Sequence, residues 1–234
     1  MHARYDDPYE DLLGLWSDLE AALAVLLTAP LRIPGFAIKL HQLDLWLQDL
    51  ITQDSDAALY LMFQRASSTT VGYSPSHAVV CAGLCHILAK ALDLPQSERD
   101  TLIRAALTMN IGMTVLQNQL AEQRTPLSSQ QAEAVKQHPT EGRLMLERLM
   151  VRDRLWLDTV QYHHVVLQPA PLAQLQPLER LVRILGTVDR YAALISPRKT
   201  RSGRSATESL QVLQQGGQYA DEVKQALIDV VGLY

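Results

Sequence analysis

Leucine and alanine recur at three- and four-residue intervals along nearly all of the 234 residues, while the chain holds only two Phe and few β-branched residues. That spacing turns one apolar helical face after another toward a core, and intrinsic propensity points the same way. Neither strict apolar-polar alternation nor an internal repeat competes with it. The chain is therefore expected to be all-α. With 47% hydrophobic residues it is long enough to bury a self-sufficient core without a disulfide or a metal to hold it together.

Breaks in the pattern divide the chain. Leu12, Leu15, Trp16, Leu19, Leu23 and Leu26 lie at helical spacing up to "TAPLRIPG", and Leu40, Leu43, Leu47 and Leu50 mark a second helix. Residues 1–53 are thus expected to form an N-terminal helical extension and residues 54–234 a helical body. The alternative, outer helices of one core, is equally consistent with the pattern. Within the body the breaks are short, and Ser128 followed by Gln131 makes a capping box at a helix start.

A formal net charge of -4 argues against a nucleic-acid partner, since only Arg198 to Arg204 form a basic cluster. The apolar run Ala21 to Ala29 is too short to span a bilayer and follows an acidic segment, so neither a membrane span nor an export signal is expected. Two cysteines one helical turn apart, Cys81 and Cys85, are poorly placed for a disulfide, which suits a reducing cytoplasm. The last residue, Tyr234, follows a helical stretch directly, which leaves a natural end and a truncated one equally open.

The polar residues placed for chemistry are few. His77 in "SPSHAVV", His138 in "KQHPTEG" and the pair His163-His164 in "VQYHHVVL" fall at helix breaks or amid apolar residues, where imidazoles can converge as metal ligands. Asp189 in "ILGTVDRYAAL" is the one acid in an apolar stretch, and a buried carboxylate asks for a partner: a metal, or Arg183 or Arg190. Cys81 and Cys85 share the helical face of His77, which also invites a metal, although free cysteines are commonly small core residues. In "AALTMNIGM" a polar Asn110 and a helix-weakening Gly112 interrupt an apolar run, as though the segment ended at a site.

In order and context these segments resemble the HD-GYP family, bacterial phosphodiesterases of the HD superfamily that hydrolyse cyclic di-GMP. The resemblance covers roughly Asp54 to Leu213 and implies a helical bundle of the HD-superfamily kind. "YSPSHAVVCAGLCHILAKALDLP" is similar to the first His helix, and "AALTMNIGM" to the segment that carries the family's His-Asp doublet followed by Ile-Gly-Lys. "HPTEG" resembles His-Pro-x-x-Gly, "VQYHHVVL" the helix ending in paired His, and "RYAALISPRKTR" the stretch that ends in Arg-Pro-Tyr-Arg. The resemblance implies that His138, His163 and His164 serve one metal and that His77 and Asp189 belong chiefly to the other. It also places Arg198 and Arg201 at phosphate-contacting positions.

The departures lie at the chemistry. Met109 and Asn110 stand where the family has its ligand His and metal-bridging Asp, Met113 where it has Lys, and "VVLQPAPL" lacks the Gly-Tyr-Pro segment. Met is a weak ligand and Asn a neutral one, so no catalytic residue is assigned. The expectation is a degenerate, regulatory module that carries no cofactor or a single Zn, Fe or Mn ion. Expected partners are cyclic di-GMP, a signalling protein or a second copy of the chain. The alternative is a single-metal phosphohydrolase working on cyclic dinucleotides through His138, His163 and His164.

Overall fold

The computed structural model describes residues 8–67, 72–168, 170–215 and 221–231, with no side-chain description for 8–10 and 67. Two of the short breaks in the helical pattern of the body, "STTVGYSPS" and "QQGGQ", lie partly outside these residues, and Tyr234 lies outside them. Among them the chain is all-α. The helices are α1 (Pro8–Thr28), α2 (Phe36–Gln53), α3 (Ser55–Ser67), α4 (Tyr73–Ala91), α5 (Gln96–Thr108), α6 (Thr114–Glu122), α7 (Ser129–Arg148), α8 (Arg154–Tyr162), α9 (Pro177–Ile195), α10 (Ala206–Gln215) and α11 (Asp221–Val231).

α4 is the axis of the bundle. Its sequence is apolar or small all round, and nearly every side chain is buried, as expected of a helix covered on every side. α1, α2, α3, α5, α6, α9 and α11 all pack on it. The stripe read from α1 is realised by Trp16, Leu19, Leu23 and Leu26, which are buried, while Leu15 falls beside the stripe and stays 40% exposed. Leucines of α1 and α2 enter the same hydrophobic cluster as those of α4, α5 and α9, so the first two helices share the core of the body. No helix among the described residues is long and apolar enough to cross a membrane.

Two buried ionic contacts tie the first helices to the rest. Glu20 of α1, only 1% exposed, accepts from Arg65 Nε of α3 at 2.8 Å and from Ser76 Oγ of α4 at 3.0 Å. Asp44 of α2, also 1% exposed, accepts from Gln48 at 2.6 Å and lies 3.5 Å from Arg104 Nε of α5. Burial pushes the Asp44 carboxyl up, against the pull of Gln48 and Arg104.

α4 also carries His86, buried, with Nε2 unpartnered. Burial, with help from Lys90 and Arg99, lowers its pKa to about 4. An unfolded His titrates near 6.5, so between these values the unfolded chain binds a proton that the folded chain refuses. Stability from this residue is complete above about pH 6.5 and is lost as pH falls toward 4, an effect of about 3 kcal/mol. Urea midpoints of the native chain and of His86→Gln are expected to converge on going from pH 7 to 4.5. Parallel pH profiles would refute this assignment.

Candidate functional site

The interruption in "AALTMNIGM" has a geometric cause. α5 ends at Thr108, and Ile111–Met113 form a single 3-10 turn laid directly on the backbone of α7. A Cβ at Gly112 would stand 2.6 Å from the His138 carbonyl oxygen and 2.7 Å from Gly142 N. Only glycine permits that approach, which brings the Met109-Asn110 segment against the turn of α7 that carries His138. Met109 and Asn110 are buried, at 1% and 7% exposure, and Met113 is half-buried.

His138 is aimed by its neighbour Pro139, which sits inside α7. Proline has no N–H, so the Val135 carbonyl four residues back loses its helical donor. His138 Nδ1–H donates to that carbonyl at 2.5 Å. His163 follows the last residue of α8, where carbonyls lack helical partners, and its Nδ1–H donates to Val160 O at 2.6 Å. Both rings are thereby held in the tautomer that leaves Nε2 as a lone pair, and the two Nε2 atoms face each other at 3.3 Å. Metal–nitrogen bonds of about 2.05 Å in a tetrahedral site set ligand nitrogens about 3.3 Å apart.

His164 completes the group, its ring 5.1 Å from that of His138 and 4.0 Å from that of His163. The donor atoms of all three lie within 4.8 Å of one another. Burial holds His138 below the ordinary imidazole range, and burial with the neighbouring His164 takes His163 to about 3. Both are neutral at pH 7, the form that binds a cation. A metal ion fits this half of the site by geometry and by protonation state.

The helices carrying the histidines are clamped together. Arg143 of α7 donates to Asp158 and, at 2.9 Å, to Gln161 of α8. Trp156 of α8 reaches Thr108 Oγ1 at the end of α5, at 2.8 Å. Gly186 of α9 admits the end of α8, since a Cβ there would stand 2.7 Å from His163 O. Arg183 braces the segment after His164, donating to Gln168 O and, at 2.7 Å, to Ala170 O, and so takes no part with Asp189. A cleft of about 100 Å³ opens beside His163, His164, Gly186 and Thr187.

Asp189 of α9 lies between this group and α4. Its Oδ1 accepts from His77 Nε2 at 2.8 Å, and its Oδ2 is 3.9 Å from His164 Nδ1. Burial works to raise its pKa, but the His77 hydrogen bond and the three surrounding imidazoles prevail and hold it well below the carboxylate range. Cys81, one turn along α4, places Sγ 3.6 Å from His77 Nε2, and these three residues form a second group with metal-ligand spacing. Burial drives the Cys81 and Cys85 thiols far up, and both are free. His77 Nδ1 is buried with no partner, unlike Nδ1 of His138 and His163.

The two arginines diverge. Arg198 lies over the Tyr73 ring at 5.0 Å and donates to its hydroxyl at 3.1 Å, and Tyr73 in turn stacks on His77. Arg201 turns back on the end of α9, donating to Ala193 O and, at 3.3 Å, to Ser196 O. The structure brings together His77, His138, His163, His164 and Asp189, which the sequence marks by helix breaks and apolar context and the resemblance as a ligand set. The sequence did not disclose the link from Cys81 to Asp189, or that Ser76, beside His77, is tied to Glu20. Both contacts join residues far apart in the chain and leave no periodic mark.

The sequence model of the HD domain matches residues 56–222. Over an alignment of 175 positions that covers 71% of its length, the chain is 28% identical to the cyclic di-GMP phosphodiesterase PA4108 of Pseudomonas aeruginosa. It spans 41% of that relative. The structure of Bd1817, an HDG"Y"P protein from Bdellovibrio bacteriovorus, superposes with a TM-score of 0.69 over 99% of this chain and 75% of that one. At 15% identity this likeness concerns the fold alone.

Proposed function

The chain belongs to the HD domain family and is HD-GYP-like, and from that membership we propose that it is a signalling module which no longer hydrolyses cyclic di-GMP. It acts by binding the dinucleotide or by docking another protein. What supports this reading is Asn110, a neutral buried side chain where the resemblance to the HD-GYP family expects the metal-bridging carboxylate. A pair of cations stabilises both the attacking and the leaving oxygen of an in-line phosphoryl displacement. Asn110 contributes no charge to offset the repulsion of two such ions, and Met113 offers no ammonium to a phosphate oxygen.

What the remaining residues do is bind and orient. His138, His163 and His164 converge their ring nitrogens, and Asp189 accepts a hydrogen bond from His77 on the α4 side. Arg198, above the Tyr73 ring that itself stacks on His77, is the cation best placed to meet a phosphate, while the guanidinium of Arg201 is engaged with backbone carbonyls. The relationship to a cyclic di-GMP phosphodiesterase supports the dinucleotide as ligand.

A second reading, a single-metal phosphohydrolase, is favoured by the 3.3 Å convergence of the His138 and His163 lone pairs, since three imidazoles and an open position are also a catalytic zinc set. A panel of cyclic nucleotides with added Mn²⁺, Fe²⁺ or Zn²⁺ separates the two. The expected result is no turnover, with calorimetric heat for cyclic di-GMP that Arg198→Ala weakens. Turnover abolished by His138→Ala would establish the hydrolase instead.

A further inference from the structure

We propose that His77, Cys81 and Asp189 form a thiolate-containing site for a single divalent transition ion of the Zn²⁺ type, and that this ion staples α4 to α9. The three donor atoms lie within 4.8 Å of one another on two helices that pack directly together. His77 Nε2 and Cys81 Sγ are 3.6 Å apart. Zinc bonds of about 2.05 Å to nitrogen and about 2.3 Å to sulfur set the N···S edge of a tetrahedral site at about 3.6 Å. The 2.8 Å contact of His77 with Asp189 is a hydrogen bond, so a bound ion takes over from it as the link between the helices.

Charge decides between the two halves of the cleft. A thiolate and a carboxylate together neutralise a dication, whereas His138, His163 and His164 bring no negative charge and Asn110 adds none. Burying an uncompensated charge is costly, so an ion settles where two anionic ligands meet it. The negative charge absent at position 110 is thus supplied at position 81. A thiolate also favours Zn²⁺-like ions over Mg²⁺ or Mn²⁺. Cys85, one turn further along α4, lies outside the group.

The inference deepens the metal reading of the same cleft and rests on it only for His77 and Asp189; hydrolysis plays no part in its test. The full chain is stripped with chelator and titrated with Co²⁺. The expected spectrum contains a near-ultraviolet thiolate-to-cobalt charge-transfer band that is lost in Cys81→Ser and kept in Cys85→Ser and His138→Ala. His77→Gln, which retains both thiols, is expected to weaken Co²⁺ binding roughly tenfold or more. No charge-transfer band at saturating Co²⁺, a band that survives Cys81→Ser, or cobalt binding lost in His138→Ala but intact in His77→Gln would overturn the proposal.

Discussion

Arg65→Ala is expected to destabilise the chain by about 3–5 kcal/mol, because it strands the carboxylate of Glu20 in the core without its cation. Arg65 supplies both Nε and a terminal nitrogen to Glu20 Oε2, at 2.8 and 2.6 Å, and its other terminal nitrogen donates to Ser17 at 2.9 Å. Glu20 has no access to water that would replace them. Thermal unfolding followed by circular dichroism is expected to show a fall of roughly 10 °C in Tm. Adding Glu20→Gln to Arg65→Ala removes the stranded charge and is expected to recover part of the loss. A single variant within about 0.5 kcal/mol of the native chain would mean that the pair is solvated, contrary to its burial.

Gly112→Ala is the second large effect. Its methyl group would meet backbone atoms of α7, at 2.6 Å from His138 O and 2.7 Å from Gly142 N, and backbone gives way only if a helix moves. Overpacking of this kind costs about 1–3 kcal/mol. Gly14→Ala in α1 is the control: nothing lies within 4 Å of the added Cβ, and alanine favours a helix. Denaturant titration is expected to move the two midpoints in opposite directions. Equal and small shifts would show that the Asn110 turn does not rest on α7 as described.

The helical class and the ordering of the histidines were legible in the sequence because both are written in local spacing and in short segments. Asn110 and Gly112 stood out there as misfits, but the reason for Gly112 is a contact with a helix more than twenty residues away. Pro139 could be read as part of a motif; that it frees the Val135 carbonyl for His138 became visible only with the helix drawn around it. Glu20, Arg65 and Asp44 gave no sign, since a charged residue on an amphipathic helix reads as solvent-facing until its partner on another helix is known. The first fifty-odd residues read equally as an extension or as outer helices of one core, and their leucines join the same hydrophobic cluster as those of the later helices.

The proposed function rests on Asn110 standing, without charge, where the resemblance to the HD-GYP family expects the metal-bridging carboxylate. Elemental analysis of the chain after saturation with Mn²⁺, Fe²⁺ or Zn²⁺ and removal of free metal, set beside the double variant Met109→His with Asn110→Asp, tests it most directly. The account predicts no more than one ion per native chain and a second ion in the variant. Two tightly held ions in the native chain would contradict it.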